Sequence, residues 1–354
     1  MGERRRREGF VRHVAFIGLS LILPSFISGS CAGLERRSAA GPGSGSSTTE
    51  VRAHRTNGSS AADGMSVYEF AAVNPTADAA DALLQGAVLD FTWSQLEPER
   101  GRYNWSAVVA EMRPWVEAGK GVILRVVTSG ESGWNPSEGE ATPAWVYQEG
   151  VPHVTEADGS VIPVYWNRRF LQLYALFIHA LGARFGGNLA IRMVEMGIGM
   201  GGETIVDQEE DSKVRDEIWA STGYSDRVWL RTIQTIAADY SSAFRGTPLV
   251  ALIDSSFLQS SARYYDSLVA WLSSHGYERQ YDGLTSDSAM SPYPDGLDPT
   301  VVEQLSPVSK TPGQCLSTEI HIAAKDLHAE VLVLYASDLS LFTQVANGQP
   351  GECG

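Results

Sequence analysis

Positive charge is scarce in this chain: 27 Lys and Arg stand against 42 Asp and Glu, a formal net charge of −15. So acidic a protein repels nucleic acid phosphates and anionic lipid headgroups, which argues against both as binding partners. Several chemical signatures are missing as well. There is no G-x-S-x-G and no H-E-x-x-H, so serine-esterase and zincin mechanisms lack a footing. There is no G-x-x-x-x-G-K-[ST] phosphate loop. His321 and His328 lie seven apart with no adjoining ligand cluster, so no metal site is expected, and nothing implies a cofactor. No internal repeat stands out. What remains is 354 residues, 43% hydrophobic and 19% charged, enough to bury a full core in one large domain or two ordinary ones.

The N-terminus departs from the rest. Arg4 to Arg7 and Arg12 form a basic segment ahead of an apolar run from Val14 to Ile27 that Pro24 interrupts. Residues 1–31 therefore read as an export signal. It ends Ser28-Gly29-Ser30-Cys31-Ala32-Gly33, small residues before a cysteine in the manner of a bacterial lipobox, with Ser28 where that motif usually has Leu. The segment implies either a lipid tether on Cys31 or plain signal-peptidase cleavage, and a product that is surface-anchored or secreted. Residues 32–64, rich in Ser, Gly, Ala and Thr, form a flexible linker. Residues 1–64 carry nine arginines against five acids, so the domain that follows has a net charge of −19. Of the three cysteines, Cys31 belongs to the signal, and Cys315 and Cys353 are either paired, as export favours, or separate thiols.

From residue 65 to 354, runs of strand length alternate with amphipathic stretches of helix length. Strands are expected at Ser66–Phe70, Gly86–Phe91, Gly121–Val127, Ala190–Gly197, Leu249–Ile253, Gly283–Ser286, Cys315–Glu319 and Glu330–Tyr335. Helices are expected at Thr76–Leu84, Trp105–Glu117, Arg168–Phe185, Ser225–Phe244, Phe257–Ser274, Pro299–Leu305, His321–His328 and Leu339–Ala346. Eight alternating β and α units imply parallel strands joined by crossovers, and the length fits a (β/α)₈ barrel. Long segments follow the third and fourth strands. The first contains Trp134, Trp145, Tyr147, Tyr165 and Trp166. Aromatic rings at the C-terminal face of a barrel either stack on sugar faces or fill a small core under the loop.

The stretch Glu195-Met-Gly-Ile-Gly-Met-Gly-Gly-Glu-Thr204 places four glycines before one acid. As a dinucleotide loop it fails, because the pattern is G-x-G-x-G-G and Glu203 sits where a helix N-terminus should meet an anion. The alternative is a glycine-rich exit from strand four that delivers the Glu203 carboxylate to the barrel mouth.

Around it a resemblance emerges. Phe91-Thr92-Trp93-Ser94-Gln95-Leu96-Glu97-Pro98-Glu99-Arg100-Gly101-Arg102-Tyr103-Asn104-Trp105 resembles the W-x-x-L-E-P-x-x-G-x-Y-x-W segment of clan A glycoside hydrolase barrels, including the family 42 β-galactosidase type. Leu124-Arg125-Val126 with Pro143-Ala144-Trp145 resembles the next strand and its loop, and Glu195 to Glu203 the fourth strand with its acid. The similarity spans residues 85 to 205. It implies a carbohydrate substrate and a retaining mechanism, with Glu203 as acid/base and Glu319, at the end of the expected seventh strand, as nucleophile. Trp93, Arg125, Trp134, Trp145, Trp166, Asp254 and Tyr293 are the expected substrate contacts. Arg125 is placed to bridge carboxylates inside the barrel, and Tyr293 to hydrogen-bond the nucleophile. Glu97, beside Pro98, is expected to be structural. Two departures stand out: Gly202 occupies the position of a sugar-binding Asn, and Leu334-Tyr335-Ala336-Ser337 lacks the usual Trp. The competing expectation is a surface carbohydrate-binding protein without turnover, since a barrel alone does not dictate chemistry.

Overall fold

A computed structural model of the chain describes residues 64–130, 140–155, 159–207, 217–253, 262–288, 293 and 295–349. Eight strands close in chain order into a parallel barrel: β1 (Ser66–Phe70), β2 (Gly86–Thr92), β3 (Gly121–Val127), β4 (Ile191–Glu195), β5 (Leu249–Leu252), β6 (Tyr277–Leu284), β7 (Val301–Gln304) and β8 (Val331–Tyr335). β8 pairs back onto β1, Ser66 with Val331 through Phe70 with Tyr335. This is the expected (β/α)₈ barrel. All seven residues of β3, GVILRVV, are buried, as a strand covered on both faces requires. Alternation sorts the side chains: Tyr68, Val88, Ile123, Val250, Val301, Val331 and Val333 pack inside the barrel, while Val67, Leu332 and Leu334 join the larger core under the helices.

The main helices are α1 (Trp105–Glu117), α2 (Arg168–Phe185), α3 (Asp226–Ala243), α4 (Ala262–Ser274), α5 (Leu316–His321) and α6 (Leu339–Ala346). In α2 the buried residues Phe170, Leu173, Tyr174, Phe177, Ile178, Leu181 and Phe185 recur at helical spacing and form one stripe, and the Asn167 side chain caps the first turn by accepting from Arg169 N at 2.8 Å. α2 lies so close to α3 that a Cβ on Gly182 would stand 2.5 Å from the Ala243 carbonyl oxygen. Tyr174 and Tyr240, one from each helix, join hydroxyls at 2.9 Å and reach the backbone of Gly197 beyond β4. The helix layer thereby grips the chain where it leaves the barrel.

Four expectations need correction. The stretch Cys315–Glu319, expected as strand seven, contributes instead to α5, and β7 lies within the segment Pro299–Leu305 that was expected to be a helix. Pro299 followed by Glu303, Gln304 and Leu305 looks like a helix start, but all four residues of β7 are buried and Val301 and Val302 are β-branched, so barrel closure outweighs local propensity. The sixth strand begins at Tyr277 rather than Gly283. The expected helix Thr76–Leu84 is a single turn at Pro75–Asp78. Residues 1–63, including Cys31, lie outside the described residues, as do Trp134, Asp254 and Cys353. Cys315 is disulfide-bonded.

Candidate active site

β4 does not stop cleanly at Glu195. Met196 N still donates to Val250 O of β5 at 2.8 Å; the chain then loops out through its glycines and returns to the same slot. Gly201 N donates to Ser129 O on the β3 side at 2.9 Å, and Thr204 N donates to Leu252 O on the β5 side at 3.0 Å. Met200 bridges to Ser129 and Glu203 to Leu252, both in parallel sense, so Glu203 stands on a continuation of β4 at the C-terminal end of the barrel. The excursion requires glycine. Gly199, Gly201 and Gly202 have φ of +74°, +62° and +91°, and a Cβ on Gly199 would meet the Glu203 carbonyl oxygen at 2.2 Å. A Cβ on Gly201 would lie 3.6 Å from Glu203 Oε1, so the carboxylate stands over this turn. Trp229 Nε1 holds the return by donating to Thr204 O at 2.9 Å.

Beneath the turn lies a buried polar layer. A Cβ on Gly202 would meet Arg125 Cδ at 3.3 Å, so the turn rests on the Arg125 side chain. Arg125, from β3, is surrounded by carboxylates from three strands: its Nε lies 3.0 Å from Glu195 Oε2 and 3.7 Å from Asp90 Oδ1, and its Nη2 lies 3.4 Å from both oxygens of Glu303. The Glu195 contact is an ion pair by distance without hydrogen-bond geometry, since neither Glu195 oxygen nor Arg125 Nε has a well-formed hydrogen bond. From β6, Gln280 Nε2 donates to Glu303 Oε2 at 2.8 Å. Glu303 is 4% exposed and Glu195 2%. The guanidinium sits 4.9 Å above the Phe70 ring, which meets Tyr335 of β8 edge-on at 5.3 Å. Burial, then the three neighbouring carboxylates, dominate the ionisation of Arg125: burial opposes its charge, and Glu195, Glu303 and Asp90 more than restore it. Burial lifts Glu195 to about 7, opposed by Arg125 and by the Gln280 side chain and aided by Glu303 and Asp90.

The residues expected from the sequence fare differently. Glu203 stands on the continuation of β4, on the turn that rests on Arg125. Glu319 does not: it is in α5 on the outer side of β7, 1% exposed, accepting from Gln304 Nε2 at 2.9 Å. Burial raises its carboxyl to about 8, opposed by that hydrogen bond and aided by Asp338. Trp93 is fully buried outside the barrel, and its indole N–H donates to Glu97 Oε2 at 2.8 Å. Glu97 also accepts from Gly101 N at 2.7 Å, the structural role expected for it. Trp145 Nε1 donates to Glu97 O, and Trp166 Nε1 to Thr222 O within a cluster of Trp219, Tyr224 and Trp229. These indoles fill a core beneath the loops, the plainer of the two expectations. Tyr293 donates to the backbone oxygen of Gln280 at 2.7 Å, and its ring lies 5.1 Å from the Arg279 guanidinium.

The sequence reading missed Glu303, Gln280 and Asp90, and noticed Glu195 only as the start of the glycine stretch. Glu303 had a usable signal: in Val301-Val302-Glu303-Gln304 an inward valine is followed two residues later by an inward acid, the period of a strand.

No protein-family model matches this chain, and no curated protein matches it either. Solved structures do. A β-galactosidase from the psychrophilic Marinomonas ef1 aligns at 13% identity over 77% of this chain and 54% of that one, with a TM-score of 0.48. Endo-glycoceramidase II from Rhodococcus sp. aligns at 14% over 76% and 72%, TM-score 0.45, and the β-galactosidase of Rahnella sp. R3 at 14% over 64% and 40%, TM-score 0.42. That resemblance is one of fold, and the chain spans about half the length of the two β-galactosidases.

Proposed function

We propose that the chain is an exported glycoside hydrolase that cleaves O-glycosidic bonds of an oligo- or polysaccharide with retention, using Glu203 as acid/base and Glu303, in place of Glu319, as nucleophile. One observation carries the reading. Glu303 of β7 faces the guanidinium of Arg125, and the turn on the continuation of β4 that carries Glu203 rests, through Gly202, on the methylenes of the same arginine. Glu303 has the surroundings a positioned nucleophile needs, since the Gln280 amide donates to its Oε2 at 2.8 Å and Arg125 Nη2 stands 3.4 Å from its Oε1. In the first step Glu303 attacks the anomeric carbon while Glu203 gives its proton to the departing oxygen, leaving a glycosyl ester on Glu303. In the second, Glu203 takes a proton from water, whose oxygen displaces Glu303 and restores both carboxyls.

The capture-only alternative draws less support, because the indoles of Trp93, Trp145 and Trp166 are engaged internally. Export and a lipid on Cys31 stand on the N-terminal sequence, and labelling of the expressed protein with radioactive palmitate, lost in Cys31→Ser, tests the tether. The deciding experiment incubates the protein with a panel of 2-deoxy-2-fluoro aryl glycosides, which trap a retaining nucleophile. The expected result is a covalent adduct on the peptide bearing Glu303. An adduct on Glu319, or turnover with inversion, overturns the assignment.

A further inference from the structure

Glycine lets the turn that carries Glu203 fold, and for the same reason gives it little with which to hold itself still. Gly199, Gly201 and Gly202 have no side chain, and Ile198 and Met200 between them are apolar and buried. Glycine loses more freedom on ordering than any other residue, so contacts from the surrounding barrel have to fix the turn. With φ of +62° and +91° at Gly201 and Gly202, and Glu203 N donating to Met200 O at 2.9 Å, residues 200–203 match a type I′ turn with the acid at its last position. The side of this turn facing β3 is fastened by Ser129, two positions past the end of that strand. Ser129 O accepts from Gly201 N at 2.9 Å, and Ser129 Oγ donates to Gly199 O at 3.0 Å. One residue thus grips the chain on both sides of Met200.

The bond from the Ser129 hydroxyl has a fixed direction. A carbonyl oxygen only accepts, so the Ser129 proton points at Gly199. The Tyr165 hydroxyl, the other neighbour of Ser129 Oγ, is then the donor to it, and Thr128 Oγ1 donates to the Tyr165 oxygen at 3.4 Å. Thr128, Ser129 and Tyr165 are at most 1% exposed, so bulk water does not compete for these bonds. Tyr165 also touches the fastening on the far side of the acid: its ring lies 5.4 Å from that of Trp229, whose indole donates to Thr204 O. We infer that Ser129 is a positioning residue for Glu203, and that Tyr165 keeps the Ser129 hydroxyl donating to the turn. This rests on the reading of Glu203 as acid/base. With the clamp in place the acid is presented in one position; without it the three glycines let the turn wander, and proton delivery to the departing oxygen suffers first.

The test has a kinetic and an exchange arm, both run on the full chain. In the first, kcat/KM is compared for a phenyl glycoside, whose departure needs a proton, and a 2,4-dinitrophenyl glycoside of the same sugar, which leaves without one. Ser129→Ala is expected to lose roughly tenfold to a hundredfold on the phenyl substrate, as misplaced catalytic groups do, and to stay within about threefold of wild type on the other. Ser129→Thr keeps the hydroxyl and is expected to recover most of the loss. Tyr165→Phe retains the ring that packs on Phe170 and Trp229 and is expected to show the same split between substrates at smaller size. In the second arm, amide hydrogen exchange is followed in the peptide containing Gly201, where Ser129→Ala is expected to exchange faster than wild type while β1 and α2 keep their rates. A loss shared equally by the two substrates makes Ser129 a general support of the fold and overturns the inference. Full activity in Ser129→Ala, or unchanged exchange at the turn, overturns it too. If Ser129→Ala does not fold, Tyr165→Phe carries both readouts. If no glycoside is turned over, or if Glu203→Gln loses both substrates equally, the acid assignment fails on its own, and the exchange arm still decides whether Ser129 holds the turn.

Discussion

The two faces of β7 carry adjacent polar residues in opposite settings. Glu303 points into the barrel toward Arg125 and Gln280, where ionised and neutral groups from four strands converge beneath the mouth. Gln304 points outward, where its Nε2 donates to Glu319 at 2.9 Å and Asp338 at 3.1 Å and its Oε1 accepts from Tyr335 N at 2.9 Å. Asp338 in turn accepts from Val308 N and Ser309 N. Both clusters bury carboxylates, so burial alone does not mark a catalytic acid. The difference lies in access and in partners: the inner acid sits beneath a turn that presents Glu203, whereas the outer acids tie β7, α5 and the β8 exit into one wall.

The largest effect that separates the faces is on turnover. Glu303→Gln is expected to reduce kcat by roughly 10⁴-fold or more with folding intact, as loss of a nucleophile does. Glu319→Gln keeps a hydrogen-bonding amide beside Gln304 and is expected to stay within about tenfold of wild type in the same assay. If the two variants reverse, the inner face has been misassigned. Next in size is Glu203→Gln, expected to cost about 10²–10⁴-fold on a substrate with a poor leaving group. With a 2,4-dinitrophenyl glycoside, which departs without protonation, the first step should be much less affected; an equal loss on both substrates would deny Glu203 the acid role.

The outer face should answer in stability. Asp338→Ala strands two backbone N–H groups and one arm of Gln304, each worth about 1–3 kcal/mol when left unsatisfied in the interior, and a comparable loss is expected in urea unfolding. The pH dependence of stability carries a sign that depends on the same acids. Burial lifts Glu319 to about 8 and Glu69 to about 8, far above the ordinary carboxylate range. Below their unfolded values both states hold the proton and the contribution is fully present. As pH rises toward 8 the unfolded chain gives up protons that the folded chain retains, so stability falls. Melting temperature is expected to decline across this window, and Glu319→Gln to flatten the decline; an unchanged slope would mean that Glu319 is ionised in the folded protein.

Much of this was legible in the sequence because it was local. The order of the barrel strands and main helices as far as α4, the bounds of β1, β3, α1 and α2, and the delivery of Glu203 by a glycine-rich exit all follow from short-range pattern. β7 was not, because Val301–Gln304 is held by β6 and β8, strands more than fifteen residues away on either side, while its own residues resemble a helix start. One misread strand put Glu319, rather than Glu303, on the seventh strand. The loop indoles failed for a related reason: composition shows that Trp145 and Trp166 lie in long loops after a barrel strand, but only three-dimensional packing reveals that each N–H already has a backbone partner.

The smallest effect concerns the turn that joins the two acids. Gly202 has φ +91°, a backbone region in which asparagine is tolerated better than alanine. Gly202→Ala is expected to cost about 1 kcal/mol from backbone strain, and its methyl would press on Arg125 Cδ at 3.3 Å, a contact the flexible arginine stem relieves by shifting. Because that stem carries the guanidinium facing Glu303, the shift should appear as a several-fold loss of kcat with little change in KM. Gly202→Asn carries the same backbone demand with less strain and adds an amide beside Glu203. If Asn at this position recovers or exceeds wild-type kcat/KM while Ala loses it, the turn is a specificity element from which a sugar contact is missing. If both variants lose kcat equally, the role of Gly202 is to let the turn rest on Arg125, and recognition of the sugar lies elsewhere at the mouth.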